Sequence, residues 1–398
     1  MKIGFDAKRL FYNNSGLGNY SRAIIGSLIR FFPENEYFLY VADMPTIDNA
    51  HPESLSFLDF SCVTIRLSTP AKPPTSIFLF LKAVAKFQPW WRTWGMGLMA
   101  GKDGVDVFHG LSNEMPLDLP PGVRSICTIH DVIFKELPGY YPFIDRIIYD
   151  WKTQKALKNS GMILLTSVQT KLALDKYYPN FLGKKSVVYQ PIHPDFYAVQ
   201  HTTSPKKSAF LSVEAGSNLK SGSTNYFVYQ SSFTERKNHL ALVEAFSLIQ
   251  KQIDWNLILV GIDGPMRLQI EQQIAALHLE KRIRIMVDAH HSLLLTIVMG
   301  ASGFVYPSMS EGFGIPLAEA AVAGLPMAVS RIPIFIEIAE DTPVYFHPNN
   351  IEEMAAAMMQ ISLPEEQVRQ RQKVGAILDK IDSKTIANNL MQAYLNPS

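Results

Sequence analysis

The chain has 398 residues, too many for one compact domain and suited to two of roughly 200. With 47% hydrophobic and 18% charged residues it can build true cores, which excludes a mostly disordered protein. A net charge of +1 advertises no nucleic-acid partner, and two cysteines, Cys62 and Cys127, are too few for a disulfide framework or a cysteine-rich metal site.

At the N-terminus Asp6, Lys8 and Arg9 interrupt any apolar core, so no signal peptide is expected there. The charge-free run from Ala289 to Ser310 holds Gly300, Gly303 and Pro307, and reads as buried helix, turn and strand rather than a membrane span. The expectation is a soluble, cytoplasmic, two-domain protein.

Short apolar runs then alternate with longer amphipathic ones. The first half offers strands at Lys2–Asp6, Tyr37–Val41, Val63–Arg66, Val105–His109, Ser125–Ile129 and Met162–Thr166, with Val187–Tyr189 as a last candidate. Helical patterns at Leu17–Phe31 and Tyr149–Lys158 fall between them. Continuous apolar strands separated by helices predict a parallel sheet covered on both faces. Residues 201–225 are rich in Ser, Thr and Lys and suit a linker or insertion.

The rhythm restarts with strands at Tyr226–Tyr229, Leu257–Val260, Ile283–Val287, Phe304–Tyr306, Met327–Val329 and Val344–Phe346. Helices are expected at Leu240–Gln252, Met266–Leu277 and Lys384–Tyr394. The fold class is α/β, two tandem Rossmann-like doubly wound domains with an interdomain cleft. Two domains are expected, over 1–200 and 226–375, with a C-terminal helix over 376–398. In such sheets ligands bind beyond the carboxyl ends of the strands.

The most informative stretch is Tyr306-Pro-Ser-Met-Ser-Glu-Gly-Phe-Gly-Ile-Pro-Leu-Ala-Glu319. It follows a strand, turns through Gly312, Phe313 and Gly314, and enters a helix at Ile315 and Pro316, where a missing N–H costs nothing. Glycines admit a ligand to the backbone, and a helix N-terminus offers unpaired N–H groups to an anion, a geometry that suits a diphosphate. Glu311 precedes the turn and Glu319 lies one turn into the helix. A carboxylate accepts two hydrogen bonds, which matches the vicinal diol of a sugar or ribose. An isolated Gly-x-Gly makes only a tight turn; here strand, Pro-started helix and two carboxylates come together.

This segment resembles the E-x7-E signature of the retaining GT-B glycosyltransferases of the group 1, family 4 type. The likeness extends to Ala301-Ser-Gly-Phe-Val-Tyr-Pro-Ser, Ile336-Glu-Ile-Ala-Glu, Val260-Gly-Ile-Asp-Gly264 and Glu235-Arg-Lys-Asn238. It covers nearly the whole chain, most strongly 226–346. The resemblance implies that Glu311 faces the donor sugar, Glu319 holds the donor ribose and Lys237 neutralises the diphosphate leaving group. Many members carry Gly-Arg about six residues before that lysine, where this chain has Gln230-Ser231-Ser232. Arg236 then substitutes, or the clamp is weaker.

In the first half, Asn13-Asn-Ser-Gly-Leu-Gly-Asn-Tyr20 sits between the first strand and first helix and resembles the family's glycine-rich loop. Gly16 and Gly18 would bring backbone close to donor phosphates or acceptor, against the plainer reading of a helix entry. Thr128-Ile-His-Asp puts His130 and Asp131 at a strand end and resembles the family's His-Asp element, whose histidine contacts the transferred sugar. His109 is a lesser candidate, and Ser167, Gln169 and Lys171 are weaker still.

From Phe60 to Lys102 there is no acidic residue, while Lys82, Lys86 and Arg92 accompany Ile77-Phe-Leu-Phe-Leu81 and Trp90-Trp91-Arg92-Thr93-Trp94. Basic charge beside Trp and Phe suits a peripheral membrane contact through 76–94 at the inner face of the membrane. Core-packed helices with solvated lysines are the alternative.

The resemblance implies a retaining hexosyltransferase, mannosyltransferase-like, with no bound metal and no cofactor, using a GDP- or UDP-sugar. The acceptor would be an oligosaccharide or lipid-linked glycan of cell-envelope polysaccharide assembly. Same-face attack assisted by the departing phosphate is what the family implies. A sugar-nucleotide epimerase of the same architecture and a non-catalytic relic that only binds are the alternatives.

Overall fold

The computed structural model describes residues 1–13, 16–42, 60–67, 88–200 and 225–395. The chain divides into two units, Met1–Pro191 with Ser383–Ser398, and Ile192–Asp382. The first boundary falls before the expected 200, so the Pro194–Gln200 helix belongs to the second unit. Residues 376–382 also stay with the second unit, and the last helix, Ser383–Leu395, belongs to the first.

Among the described residues the first unit holds a parallel sheet of seven strands: β1 (Lys2–Asp6), β2 (Glu36–Val41), β3 (Val63–Leu67), β4 (Val107–Gly110), β5 (Arg124–Ile129), β6 (Met162–Leu165) and β7 (Lys184–Val187). Their order is β3-β2-β1-β4-β5-β6-β7. Ile3 and Phe5 of β1 and Val107 and Phe108 of β4 are fully enclosed, as strands covered on both faces must be. Order reverses between β1 and β4, where Ile3 pairs with Val107 and Phe5 with His109. That switch point opens a crevice at the strands' carboxyl ends.

Two sequence expectations shift here. The last strand is Lys184–Val187 rather than Val187–Tyr189, because an edge position tolerates Lys184 and Lys185. The helix expected over Tyr149–Lys158 begins at Phe143. Phe143, Ile144, Ile147 and Ile148 are exposed apolar residues, so they break the pattern that periodicity reads.

The second unit's sheet has six strands among the described residues: β8 (Tyr226–Gln230), β9 (Asn256–Gly261), β10 (Ile283–Val287), β11 (Gly303–Tyr306), β12 (Met327–Ser330) and β13 (Val344–Phe346). The order is β10-β9-β8-β11-β12-β13, all neighbours parallel. Every residue of β8, β11 and β12 is buried. The switch point lies between β8 and β11, so the loops after Gln230 and Tyr306 rise side by side.

Candidate functional site

Two loops meet above the β8–β11 switch point. After β8 the chain makes a short 3-10 turn, Glu235–Lys237, closed by Asn238 in the left-handed region (φ 60°). After β11 comes the 307–314 loop. Met309 N–H donates to the Arg236 carbonyl (3.0 Å), and the Asn238 amide donates to Pro307 O (3.2 Å) and Pro348 O (2.8 Å). This backbone stitching fixes where the side chains point.

Glu311 is the focus. It pairs with Lys237, accepts from the Ser308 hydroxyl (2.6 Å), and lies 3.5 Å from the Arg236 guanidinium, which also donates to Ser310 O. Burial would push the Glu311 carboxyl up, but Lys237 and Arg236 outweigh it and hold the pKa at about 2. At neutral pH Glu311 is therefore an anion, able to accept hydrogen bonds or face positive charge but not to donate a proton. The Tyr229 hydroxyl donates to Lys237 O at 2.8 Å and braces the turn from below.

The turn itself is built around Gly314, whose φ of 93° and ψ of 51° make it the N-cap of the Ile315–Val322 helix. A Cβ there would also come within 2.8 Å of the Phe335 ring. Phe313 and Ile315 bury their side chains, leaving their backbone as what they present to a ligand. Glu319 sits in that helix at 1% exposure, and among the described residues neither carboxylate oxygen has a hydrogen-bond partner. Burial pushes its pKa up to about 8, opposed by the side chain of Gln230, which lies nearby without closing a well-formed hydrogen bond. An orphaned acid in the first turns of a helix beside a polar loop fits a site that a hydroxyl-rich ligand completes.

Ser231, in the place of the missing arginine, is no cation substitute. Its hydroxyl pairs with His239 Nε2 at 3.0 Å, and a Cβ at Gly261 would come within 1.7 Å of its carbonyl oxygen. The Gly261 to Gly264 segment is thus packed against the β8 loop.

In the first unit the switch-point crevice is a pocket of about 560 Å³. Five basic residues, Lys8, Arg9, Arg92, Lys152 and Lys155, outnumber its two carboxylates, Asp6 and Glu114, and Trp94 and Trp151 supply aromatic wall. Arg92 pairs with both carboxylates, and Lys152 with Glu114 at 2.7 Å. Burial opposes ionisation of Glu114, yet Arg92 and Lys152 hold it at about 2. Of the tryptophan cluster, Trp91 packs against the core, Arg92 is locked in this network and Trp94 stays exposed. Trp91 thus packs against the core, while Arg92 belongs to the ion pairs of the pocket. Residues 76–87, with Lys82 and Lys86, lie outside the described residues.

His130 stands at the end of β5 but is engaged on both sides. Its Nε2 meets Leu111 O at 2.8 Å, its Nδ1 meets the Gln190 amide at 3.1 Å, and Tyr20 packs edge-on at 4.5 Å. Burial lowers its pKa to about 4, so the ring is neutral. His109 bridges the Tyr394 hydroxyl (2.7 Å) and Thr128 (2.8 Å), which makes it a brace for the last helix rather than a ligand group. Gly16 opens its helix, exposed. Gly18 is needed because Asn13 O would lie 1.7 Å from a Cβ, so the close approach comes from the chain's own loop. Ser167 is the N-cap of the Val168–Tyr177 helix, and Asp131 accepts from Ile133 N–H.

Residues 213–376 match the family described as Glycosyl transferases group 1. The O-antigen chain mannosyltransferase RfbU of Salmonella typhimurium strain LT2 is 26% identical over 240 residues, covering 59% of this chain and 60% of that protein. The O-antigen chain mannosyltransferase B of Escherichia coli is 24% identical over 369 residues, 90% of each chain. The crystal structure of Anabaena HepE with UDP and glucose superposes with a TM-score of 0.68 over 99% of each chain at 16% identity, a likeness of fold.

The chain has the GT-B fold, and its second half is similar to the group 1 glycosyltransferases.

Sequence reasoning singles out Glu311, Lys237, Arg236 and the glycine turn as candidates, and the structure gathers them at one switch point. It missed Ser308, Tyr229 and Asn238, which hold the cluster. It also missed the basic pocket, assembled from segments that run from Asp6 to Lys155 in the chain. Glu114 beside Lys152 carries no local motif that could have revealed it.

Proposed function

We propose that this chain is a glycosyltransferase that moves a hexose, mannose first among candidates, with retention of anomeric configuration, from a GDP- or UDP-sugar to a lipid-linked glycan acceptor. One observation carries the reading: an ionised Glu311 held by Lys237 and Arg236 at a glycine turn, with an unpartnered Glu319 in the helix that follows. As the glycosidic bond breaks, charge builds on the leaving diphosphate, and fixed cations there stabilise the transition state. Lys237 and Arg236 fill that role, while the Ile315–Val322 helix N-terminus offers N–H groups to the same phosphates. Glu311, permanently charged, orients the sugar or stabilises its developing positive charge. Glu319 accepts both ribose hydroxyls and ionises as it does so. Same-face attack assisted by the departing phosphate completes the transfer without a metal.

The acceptor belongs with the first unit's pocket, whose cationic excess suits an anionic acceptor group. The Phe143–Asn159 helix supports presentation from a bilayer. Phe143, Ile144, Ile147, Ile148 and Trp151 are exposed on one face, and Lys155 and Lys158 follow in its later turns. Apolar side chains with adjacent cations suit an anionic membrane surface. Among the described residues no helix is long and apolar enough to cross a membrane, which is compatible with the peripheral contact proposed here for the cytoplasmic side.

The test is product formation from each donor with a polyprenyl-diphosphate glycan acceptor, reading the new anomeric centre by NMR. A retained configuration with a chelator present is expected; inversion overturns the mechanism. Phe143→Asp with Ile144→Asp is expected to abolish sedimentation with phosphatidylglycerol vesicles, and unchanged sedimentation would remove the membrane part.

A further inference from the structure

Three residues outside the donor cluster and the basic pocket converge in the second unit. His193 and Asp195 flank Pro194 at the start of the Pro194–Gln200 helix, the first helix after the chain enters this unit. His291 begins the His291–Gly300 helix, 96 positions further on. His291 Nε2 lies 3.0 Å from Asp195 Oδ2, and His193 Nδ1 lies 3.5 Å from the same oxygen. The two imidazole centroids are 4.2 Å apart at 53°. One potential ligand atom from each residue falls within 4.8 Å of the others.

We propose that His193, Asp195 and His291 form a binding site for a borderline divalent transition metal, zinc being the best fit, that clamps the first helix of the second unit to the His291–Gly300 helix. The geometry is close to that of a coordinated set. Zinc bonds of about 2.0–2.1 Å to nitrogen and oxygen place neighbouring tetrahedral ligands roughly 3.3 Å apart, and the two separations to Asp195 bracket that value. Two imidazoles and one carboxylate are the donor types that such ions prefer, whereas magnesium prefers an all-oxygen shell.

Exposure is graded across the three. The His193 side chain is fully enclosed, His291 is 14% exposed and Asp195 is 31% exposed. A metal held here has two ligands anchored in packed structure and its open position on the solvent side, where water completes the shell. The two helix N-termini oppose a bare cation. Asp195 supplies the compensating charge, and a bound metal takes the place of the 3.4 Å hydrogen bond from Asp195 N–H to His193 Nδ1. None of these residues belongs to the Glu311 cluster, so the site is structural and the transfer reaction does not run through it.

The test uses the full chain, stripped with chelator and titrated with Zn²⁺ against a chromophoric competitor, with Co²⁺ as the spectroscopic probe. One equivalent of Zn²⁺ is expected, with visible Co²⁺ absorption and no competition from Mg²⁺. His291→Ala and Asp195→Asn should each weaken Zn²⁺ binding at least tenfold and remove the Co²⁺ bands. His290→Ala, which removes a neighbouring ring that accepts from Leu293 N–H at 3.3 Å, should leave binding unchanged. Circular dichroism and the metal-free melting temperature of each variant establish that it is folded. Absence of stoichiometric binding, equal binding by the His291 and Asp195 variants, or an equal loss in His290→Ala would overturn the proposal.

Discussion

Glu311 and Glu319 stand at the two ends of one glycine turn, and the protein treats them in opposite ways. Glu311 lies in the loop facing the Glu235–Lys237 turn, so two cations and a hydroxyl meet it and its pKa falls to about 2. Glu319 lies in the helix, enclosed and without a partner, and its pKa rises to about 8. The first carboxylate is preorganised before any ligand arrives. The second stays neutral until a ligand supplies donors. Identical side chains eight positions apart thus take opposite charge states because their environments differ, and the proposed function assigns electrostatics to the first and recognition to the second.

The largest expected effect comes from emptying the preorganised end. Glu311→Ala should lower kcat at least ~100-fold, the scale of losing one fixed polar contact in a transition state. Turnover close to wild type, measured as nucleotide release in the presence of acceptor, would dissolve the contrast. The same pair governs stability. Removing one partner of a buried ion pair costs about 3–5 kcal/mol, because the other charge is left unmatched. Glu311→Gln and Lys237→Met should each destabilise the protein in urea, and the double variant should lose less than their sum. Additive losses would mean that the pair is not coupled.

The neutral end makes a prediction about pH. Glu319 titrates from 4.5, its ordinary value, to about 8 in the folded state. The folded protein therefore holds a proton that the unfolded chain has released. Its contribution is fully present below 4.5 and is lost as pH rises through 8, by up to ~1.4 kcal/mol per pH unit within that window. The ligand-free wild type should lose melting temperature between pH 5 and 9 relative to Glu319→Gln. A constant difference between the two would place a carboxylate, not an acid, in that helix. The smallest effect concerns neither end. Tyr394→Phe removes the hydroxyl on His109 and should cost about 1 kcal/mol in stability while donor affinity is unchanged. A loss of donor affinity in that variant would give His109 a role beyond bracing.

Much of this was legible because it is local. Strand–helix alternation in both halves predicts two doubly wound sheets, and the 306–319 segment carries its strand, glycine turn and helix within one stretch of chain. Gly314 shows why the pattern speaks: a left-handed N-cap against Phe335 leaves room for no side chain. The charge states of the two glutamates were not legible, since they depend on Lys237, Ser308 and the enclosure of a helix face. Gly18 misleads in the same way, because its neighbour is Asn13 and not a ligand. The basic pocket and the His193–Asp195–His291 set join segments far apart in sequence, where periodicity and motif spacing carry no signal. The exposed face of the Phe143–Asn159 helix escaped for the opposite reason, as apolar residues that are not buried look like noise to a core-seeking pattern.

The most direct test of the central claim is a thermal-shift titration of the full chain against UDP-, GDP- and ADP-sugars, with and without chelator. A ligand at ~100 times its dissociation constant stabilises the folded state by roughly 2.7 kcal/mol, a readily measured shift. The account predicts a shift with one nucleotide class that persists in chelator and vanishes in Glu319→Ala. No shift with any of these donors, or a shift that Glu319→Ala leaves intact, would contradict a donor site at the 311–319 turn.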